Sequence, residues 1–578
     1  MKSATTGSKI SIALADEHGE RLARGLLVLA LLAAAALLLW LNRGTSFYND
    51  ELTWFQDLSG PNDLESILTP HYSHLIGTTR LVYLLTAETV GPDYLVMRIL
   101  GVASVLLAAT LFYVWAKRRI GPGWALLPAV LLMFYGSAWQ HVVGPVGFTV
   151  TFSIALGLGA LIAAESEGRR SDLLACGLLI LAVFTYTVGL AYLVGVAISV
   201  LLRGDRLRRA WIFLVPLLLY AAWWVWAQQF DQGRTEFVGL VSIVKFFARS
   251  MAVNASGITG VDIPLLRIFG SNPALDASPT LAGWLAGLAL TAALIWRVLR
   301  GNVPRSFWVS LGVLVTFWLA AAIADTDPFF GTQVYAIRYL FPGSSALLLV
   351  LTDAVSGFRI RAGWAYALLA VFAFSLAMNL VYLRDGAAFL RDRSSEVRGN
   401  LTMLELANGW SPGDGPVGGN GAVRYQVAGV IPFLNVGPDR DRYLQAVAEF
   451  GSPAYDLNEV RALPGADRAV IDQALRQAYA LALLPTAVGP DRPSMCIRAT
   501  PSRERFKVPR GGMYVHALGG KPATLAAGRF GPLPEVSLGT AEPGSWFRVL
   551  IPTDPAPEVW LATVTSGQAR ICSVPAPP

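Results

Sequence analysis

Charge is what this chain has least of. Only 15% of its 578 residues are charged, against 54% hydrophobic, and the mean hydropathy is +0.50. A soluble domain carries about 25% charged residues. The chain therefore lacks the groups needed to face water over its whole surface, and a string of soluble domains is excluded together with disorder. Cysteine is nearly absent: Cys176, Cys496 and Cys572 are the only three. That excludes a thiol-metal framework and a disulfide-dense scaffold. Cys176 lies inside an apolar run and reads as core. No repeat with a period of about 20–50 residues is found, which excludes solenoids and propellers. The net charge of +7 raises nucleic-acid binding as a possibility. The basic residues, however, sit in short clusters between apolar runs, as in loops on the cytoplasmic side of a membrane protein, and no nucleic-acid partner is expected.

What the chain has in plenty is long apolar runs. A helix needs about 20 apolar residues to cross the hydrocarbon, and on that rule about eleven spans are expected. They lie at 25–41, 94–115, 124–139, 146–164, 172–187, 189–202, 210–227, 281–299, 307–324, 339–354 and 364–383. The first follows Lys2, Lys9, Arg21 and Arg24 like a signal peptide. It runs into Leu41-Asn42-Arg43 without a small-residue cleavage site, so it reads as an anchor. Lys117-Arg118-Arg119, Arg169-Arg170, Arg203 to Arg209, Arg297 to Arg305, and Arg359 with Arg361 all fall on the side of the N-terminal tail. That side is expected to be the cytoplasm, which puts the C-terminus outside. The expected fold class is thus an α-helical polytopic membrane protein, N-in and C-out, with an extracytoplasmic C-terminal α/β plus β-sandwich-like domain. Residues 1–24 form the cytoplasmic tail, 25–383 the membrane domain with external loops 42–93 and 228–279, and 384–578 the soluble domain. The expected localisation is the cytoplasmic membrane.

Within the first external loop, Leu75 to Leu85 is apolar at helical spacing yet too short and polar to span. It reads as a helix in the interface plane or as a loop helix packed on the spans. Residues 241–251, with Lys245 and Arg249, suggest a second such helix, and Arg267 follows in the same loop. After Arg384 the composition turns to Gly, Pro, Asp and Arg. A loop at 411–420, helices near 440–450 and 466–484, and strands at 513–516, 546–550 and 559–563 are expected. Cys496 and Cys572 bracket the strand region in what would be an oxidising compartment, and a disulfide joining the first and last strands of a small sandwich is expected. The tripeptides Asn254-Ala255-Ser256 and Asn400-Leu401-Thr402 read as chance glycosylation patterns.

Immediately beyond the first span stands Phe47-Tyr48-Asn49-Asp50-Glu51-Leu52-Thr53-Trp54-Phe55. Two adjacent carboxylates at the bilayer surface are costly unless solvated, paired or used. One reading is a helix N-terminus, with Asp50 capping and Glu51 favouring the dipole. The other is a general base facing a cavity at the lipid surface. The two are compatible, because a cap also fixes a carboxylate in place.

A first span followed by Asp-Glu at the start of a long external loop with interfacial helices resembles the GT-C superfamily of glycosyltransferases that use polyprenyl-phosphate sugars. The protein mannosyltransferase, aminoarabinose-transferase and arabinofuranosyltransferase groups are examples. The resemblance covers residues 25–382. Other matching pieces are Pro70-His71-Tyr72-Ser73-His74-Leu75, Gly91-Pro92-Asp93-Tyr94 entering a span with Arg98, and Tyr335-Ala336-Ile337-Arg338-Tyr339-Leu340-Phe341-Pro342. Where several members carry Lys-Pro-Pro, this chain has Ser73-His74-Leu75. The resemblance implies inverting transfer of a monosaccharide from a polyprenyl-phosphate donor to an extracytoplasmic glycan, lipid or protein acceptor, in contact with membrane lipids. Asp50 matches the catalytic acidic position and Glu51 the second, supporting one. A positioned base contributes about 10²–10⁴-fold, and the departing phosphate needs positive charge or donors. Arg338, beside Tyr339, with His71 and His74, are the phosphate candidates, although Arg338 can equally snorkel to anchor its span. On a helix His71 and His74 would share a face. Trp139, Gln140 and His141 are candidates for the acceptor side, while an interfacial aromatic belt also explains Trp139. No cofactor is expected. A divalent metal held by His71 or His74 with Asp50 or Glu51 is the minor alternative.

Three rivals remain. A lipid-linked-glycan polymerase or ligase would want catalytic Arg and His in a long late external loop, but here the late loops are brief and the acidic pair is early. A transporter or flippase would put charge at mid-span, whereas these spans are nearly free of it. A non-catalytic sugar-binding membrane protein would leave Asp50 without a lipid-accessible cavity.

Overall fold

The computed structural model describes residues 17–48, 50–230, 240–262, 279–324, 337–358, 362–407, 440–487, 489–490, 496–501, 505–509, 511–531, 536–551 and 556–573. Lys2, Lys9, Arg267, Arg359, Arg361, Tyr335, Ala336 and the expected loop at 411–420 lie outside these. The described chain is mostly helical, with strands confined to its C-terminal part, and divides into two compact units: Met1–Thr45 with Gly60–Arg391, and Ser46–Ser59 with Asp392–Pro578.

In the first unit a helix occupies each expected span. These are α1 (Glu17–Leu41), α5 (Tyr94–Ile120), α6 (Pro122–Met133), α8 (Phe148–Glu165), α9 (Arg169–Thr185), α10 (Gly189–Leu201), α12 (Trp211–Ala227), α14 (Leu281–Leu299), α15 (Arg305–Ala324), α16 (Leu340–Ala354) and α17 (Ala362–Leu406). Seven segments among the described residues are long and apolar enough to cross a membrane, fewer than the expected eleven. They are the α1, α5, α8, α14, α15 and α17 regions and the stretch Pro122–Val142. Helices α9, α10, α12 and α16 have 17, 13, 17 and 15 residues, at or below the shortest length that crosses a bilayer. Smaller helices are α2 (Asp50–Asp57, in the second unit), α3 (Leu64–Leu68), α4 (Gly77–Val90), α7 (Trp139–Val142), α11 (Arg206–Arg209) and α13 (Leu240–Thr259).

Local chemistry sets the boundaries. Asp93 caps α5, its Oδ1 accepting the Leu95 N–H at 2.9 Å. At the other end Lys117, Arg118 and Arg119 meet the negative pole of the helix. Gly121 then turns the chain at φ +81°, and Pro122 opens α6. Helices α8 and α16 form the centre of the unit, with most of their side chains buried; α8 is flanked by α5, α9 and α10, and α16 by α5, α13 and α15. Gly157 of α8 lies flat against the Tyr192 ring of α10, where a Cβ would collide. Such small residues let helices approach closely where lipid supplies no hydrophobic drive.

The basic clusters gather around one set of helix ends. Arg119 Nε donates to Asp353 Oδ1 at 2.6 Å, and Ser306 and Ser310 donate to the same carboxylate at 2.6 and 2.5 Å. Arg119 also bonds Glu165 and lies 3.3 Å over the Trp115 ring. Arg118 pairs with Glu165 at 3.0 Å, Arg209 with Asp172 at 2.5 Å, and Lys117 with Glu20 at 2.6 Å. Arg297 Nε donates to the Ala354 carbonyl at 2.8 Å. Asp353 is wholly buried and Arg119 nearly so. Asp353→Ala leaves Arg119 only its Glu165 carboxylate and strips Ser306 and Ser310 of their acceptor, a loss of about 3 kcal/mol. Denaturant or thermal unfolding of the purified protein in detergent should show a fall of that order.

The second unit holds α2, the C-terminal part of α17, α18 (Arg440–Phe450), α19 (Leu457–Ala462), α20 (Gly465–Ala478) and two sheets. The expected helix at 466–484 ends early: Ala480 takes φ +49°, and Leu484 already begins a strand. The strands are β1 (Leu484–Thr486), β2 (Cys496–Ala499), β3 (Phe506–Lys507), β4 (Met513–Leu518), β5 (Ala523–Gly528), β6 (Val536–Ala541), β7 (Trp546–Val549), β8 (Leu561–Ser566) and β9 (Gln568–Ser573). They form a five-stranded sheet, β1-β7-β4-β9-β2, and a four-stranded sheet, β3-β8-β5-β6. Asp472 of α20 accepts the backbone N–H groups of Arg529, Phe530 and Gly531, clamping α20 to the end of β5; burial nevertheless pushes its carboxyl pKa up.

Cys496 and Cys572 form the expected disulfide, and they face each other directly in the β2–β9 pair. Strand β1 precedes β2, so the bond joins neighbouring strands rather than the two ends of the domain. Closing a loop of 76 residues restricts the unfolded chain by about 4 kcal/mol. The Cys496→Ser/Cys572→Ser variant should unfold at correspondingly lower denaturant, and non-reducing peptide mapping of the parent should recover the linked pair.

Candidate functional site

The acidic pair opens α2, and its two members are used differently. Glu51 is 1% exposed. Its Oε2 accepts the Tyr48 N–H three residues earlier at 3.2 Å, so it satisfies an otherwise orphaned donor at the helix start. Asp50 stands in the first turn and is half-exposed. The bond at the helix start expected of Asp50 is thus made by Glu51. Tyr48 is buried, and desolvation pushes its phenol pKa up, opposed by Arg393 and helped by Glu396 and Asp50. The rest of α2 is held inside the second unit. Phe55 packs on Phe47 and Tyr443, with centroids 5.4 and 6.1 Å away, and Asp57 pairs with Arg442 at 3.1 Å.

His71 and His74 belong to the first unit and are not on a helix. They form the base of a two-residue turn, each donating its backbone N–H to the other's carbonyl at 2.9 and 2.8 Å. The turn residues Tyr72 and Ser73 sit at φ +45° and +68°, a region that disfavours side chains with Cβ. Such strain persists only where the surroundings over-determine it. Here Arg80 donates to the carbonyls of Ser66, Ile67 and Thr69, Trp223 Nε1 donates to the Leu68 carbonyl at 2.7 Å, and Leu75 is buried beside Trp223 and Ala227. The His74 ring lies 4.6 Å from Tyr186, and its Nδ1 is hydrogen-bonded to Thr187 Oγ1 at 2.9 Å. His71 is buried while Tyr72 is exposed. Beyond the turn, α4 buries Thr79 and Thr86 and exposes Leu81, Leu85 and Val90. It packs on α9, burying Tyr83 and Ala87 as well.

Gln140, His141, Arg338 and Tyr339 come together in the same unit. The chain between α6 and α8 breaks into short turns at Gly136–Ala138 and Pro145–Gly147 around α7. The turn Ile337–Tyr339 packs against α7 and against Gly136–Ala138. Arg338 is exposed, 5.1 Å over the Tyr339 ring, and that ring meets Phe246 of α13 at 6.2 Å. His141 is buried against Phe341, with centroids 6.3 Å apart. Trp139 is buried against Phe389 and Gly386, so it is a core residue and not part of an interfacial belt.

Sequence reasoning missed the polar residues that allow this break. Asn379 Oδ1 accepts the Ser137 N–H at 3.0 Å and its Nδ2 donates to the Gly257 carbonyl at 3.1 Å. Ser344 Oγ donates to Asn254 Oδ1 at 2.8 Å and is hydrogen-bonded to Tyr135 Oη at 2.6 Å. Irregular backbone is tolerated at membrane depth only when other protein groups satisfy it. Gly136, Gly144, Pro145 and Gly147 were the available signal. Asn254, read from sequence as a chance tripeptide, is a buried member of this network. Residues expected at 241–251 are the first half of α13, whose second half is buried. Among the described residues no group of three or more His, Cys, Asp or Glu is arranged to hold a metal ion.

Ser73→Gly relieves a Cβ at positive φ at the cost of unfolded-chain entropy and should stay within about 1 kcal/mol of the parent, while Ser73→Val should destabilise by more than that. Thermal midpoints of the two variants in one detergent read this directly.

No protein-family model matches the chain, and no match is found among the curated proteins or the solved structures.

Proposed function

We propose that this protein is an inverting membrane glycosyltransferase of the GT-C type. It would move a monosaccharide from a polyprenyl-phosphate donor to an extracytoplasmic glycan, lipid or protein acceptor. Asp50 is the general base that takes the acceptor hydroxyl proton as that oxygen attacks the anomeric carbon. Glu51 is a positioning residue. Arg338, with His71 and His74, is assigned to the departing phosphate, and Gln140 and His141 to substrate binding. The protein lies in the cytoplasmic membrane with the basic helix ends inside and the C-terminal region outside.

The observation that carries the reading is the division of labour in the acidic pair. Glu51 is buried in a hydrogen bond to Tyr48 N–H, while Asp50 keeps part of its surface open on the same short helix. A base must be held in place yet reach a substrate, and this pair separates the two tasks. The strained turn at Tyr72–Ser73 supports the assignment of His71 and His74, since strain of this kind clusters at ligand clamps. The gathering of basic clusters at one set of helix ends supports the orientation. The disulfide supports an oxidising compartment for the C-terminal region.

Membranes supplied with labelled polyprenyl-phosphate sugars test the assignment. Asp50→Asn and Asp50→Ala should each lower transfer by about 10²–10⁴-fold, and Glu51→Gln, which can still accept from Tyr48 N–H, should lower it far less. Arg338→Lys should retain more turnover than Arg338→Ala. Undiminished transfer by folded Asp50→Ala would remove the proposed base.

A further inference from the structure

The five strands of the larger sheet contain Arg498, Arg548, Arg570 and His516, and neither Asp nor Glu. The four strands of the smaller sheet carry a single charged residue, Lys507. Alternation sorts these side chains onto one face. Met513, Val515 and Ala517 of β4 are buried, as are Phe547 and Val549 of β7, while Tyr514, His516, Trp546 and Arg548 are partly exposed and Arg570 and Arg498 are exposed. The register then aligns Trp546, His516, Arg570 and Arg498 in one row across β7, β4, β9 and β2. Three inter-strand spacings make that row about 14 Å long.

One feature of the row costs stability. Arg570 and Arg498 stand directly opposite each other, an arrangement that repels. Among the described residues neither is paired with a carboxylate; Arg498 instead donates to Gln568 Oε1 at 2.7 Å. Beside them the partly exposed His516 and Trp546 rings pack 4.9 Å apart, with Gly489 against the indole, and Arg548 lies 5.5 Å over Tyr514 in the next row. Guanidinium pairs match carboxylate or phosphate oxygens. Exposed aromatic rings match the polarised C–H face of a sugar, because their faces carry negative potential.

We propose that the open face of the five-stranded sheet is a binding surface for an anionic glycan. Sugar rings stack on Trp546 and His516, and their acidic substituents meet Arg570 and Arg498. The length of the row fits an oligosaccharide. An acidic peptide would use the arginines but leave the ring pair idle. An anionic bilayer would want apolar side chains protruding from a loop beside the cations, whereas here the aromatics lie in the strands themselves. The proposal shares with the transfer reading only the external placement of the C-terminal region, and binding measured without any donor keeps the two separate.

The test uses the full-length protein in detergent, titrated with oligogalacturonate, neutral dextran oligomers, polyglutamate and phosphatidylglycerol vesicles. Oligogalacturonate should bind, more weakly as salt rises, and dextran should bind much less. Trp546→Ala and the Arg498→Gln/Arg570→Gln pair should each weaken oligogalacturonate binding by about tenfold or more, equivalent to roughly 1.4 kcal/mol. Lys507→Ala, an exposed cation on the smaller sheet, should change nothing. Thermal midpoints establish that each variant folds; if Trp546→Ala does not, the exposed arginine pair carries the test. Equal binding by parent and folded variants overturns the proposal. So does dextran, polyglutamate or vesicle binding that matches oligogalacturonate.

Discussion

Lipid surrounds apolar helices as readily as other helices do, so burial of Leu and Val cannot by itself hold a membrane bundle together. The first unit depends on polar bonds formed where water is excluded. Asp353 is the clearest case: one wholly buried carboxylate accepts from Arg119, Ser306 and Ser310, and so ties α5, α15 and α16 at a single point. Removing water from these groups makes each bond strong and each orphan costly. Asn379 does the same for broken backbone, supplying an acceptor to Ser137 N–H and a donor to the Gly257 carbonyl. Close contacts such as Gly157 on Tyr192 then fill the remaining space.

The same economy governs the candidate residues. A lone carboxylate near lipid is expensive, and two adjacent ones more so. The structure commits Glu51 to its own helix start and leaves Asp50 partly open. The histidine turn spends backbone strain at Tyr72 and Ser73, held there by Arg80 and Trp223 from outside the turn. In the second unit, the facing pair Arg498 and Arg570 accepts repulsion on an exposed sheet face. At each of these places local stability is lower than the sequence could have provided, and such exceptions concentrate where a protein meets a ligand.

Much of the helical layout was readable in advance because long apolar runs and basic loops are coarse, redundant signals. The helix at 440–450, the strands beginning at Met513 and Trp546, and the Cys496–Cys572 bond were readable too, from alternation and from cysteine scarcity. The number of crossings was less legible, because helices α9, α10, α12 and α16 are apolar runs of 17, 13, 17 and 15 residues, at or below the shortest length that spans. His71 and His74 looked like helix neighbours because spacing three also fits a two-residue turn, and neither Tyr72 nor Ser73 is a residue that announces positive φ. Trp139 looked like a belt residue because apolar content does not say whether lipid or Phe389 covers it. The Asn254, Ser344 and Tyr135 network was hidden for a different reason: its members are far apart in the chain and meet only after packing.

The proposed reaction breaks the bond between a sugar and a polyprenyl phosphate. Purified protein reconstituted in lipid, given a panel of polyprenyl-phosphate monosaccharides labelled in the lipid, provides the direct measurement: release of free polyprenyl phosphate with an acceptor extract present. The account predicts release from at least one donor by the parent protein and none above background by Asp50→Asn. Release by Asp50→Asn at the parent rate, or no release from any mannose, glucose or pentose donor by folded parent protein, would contradict it.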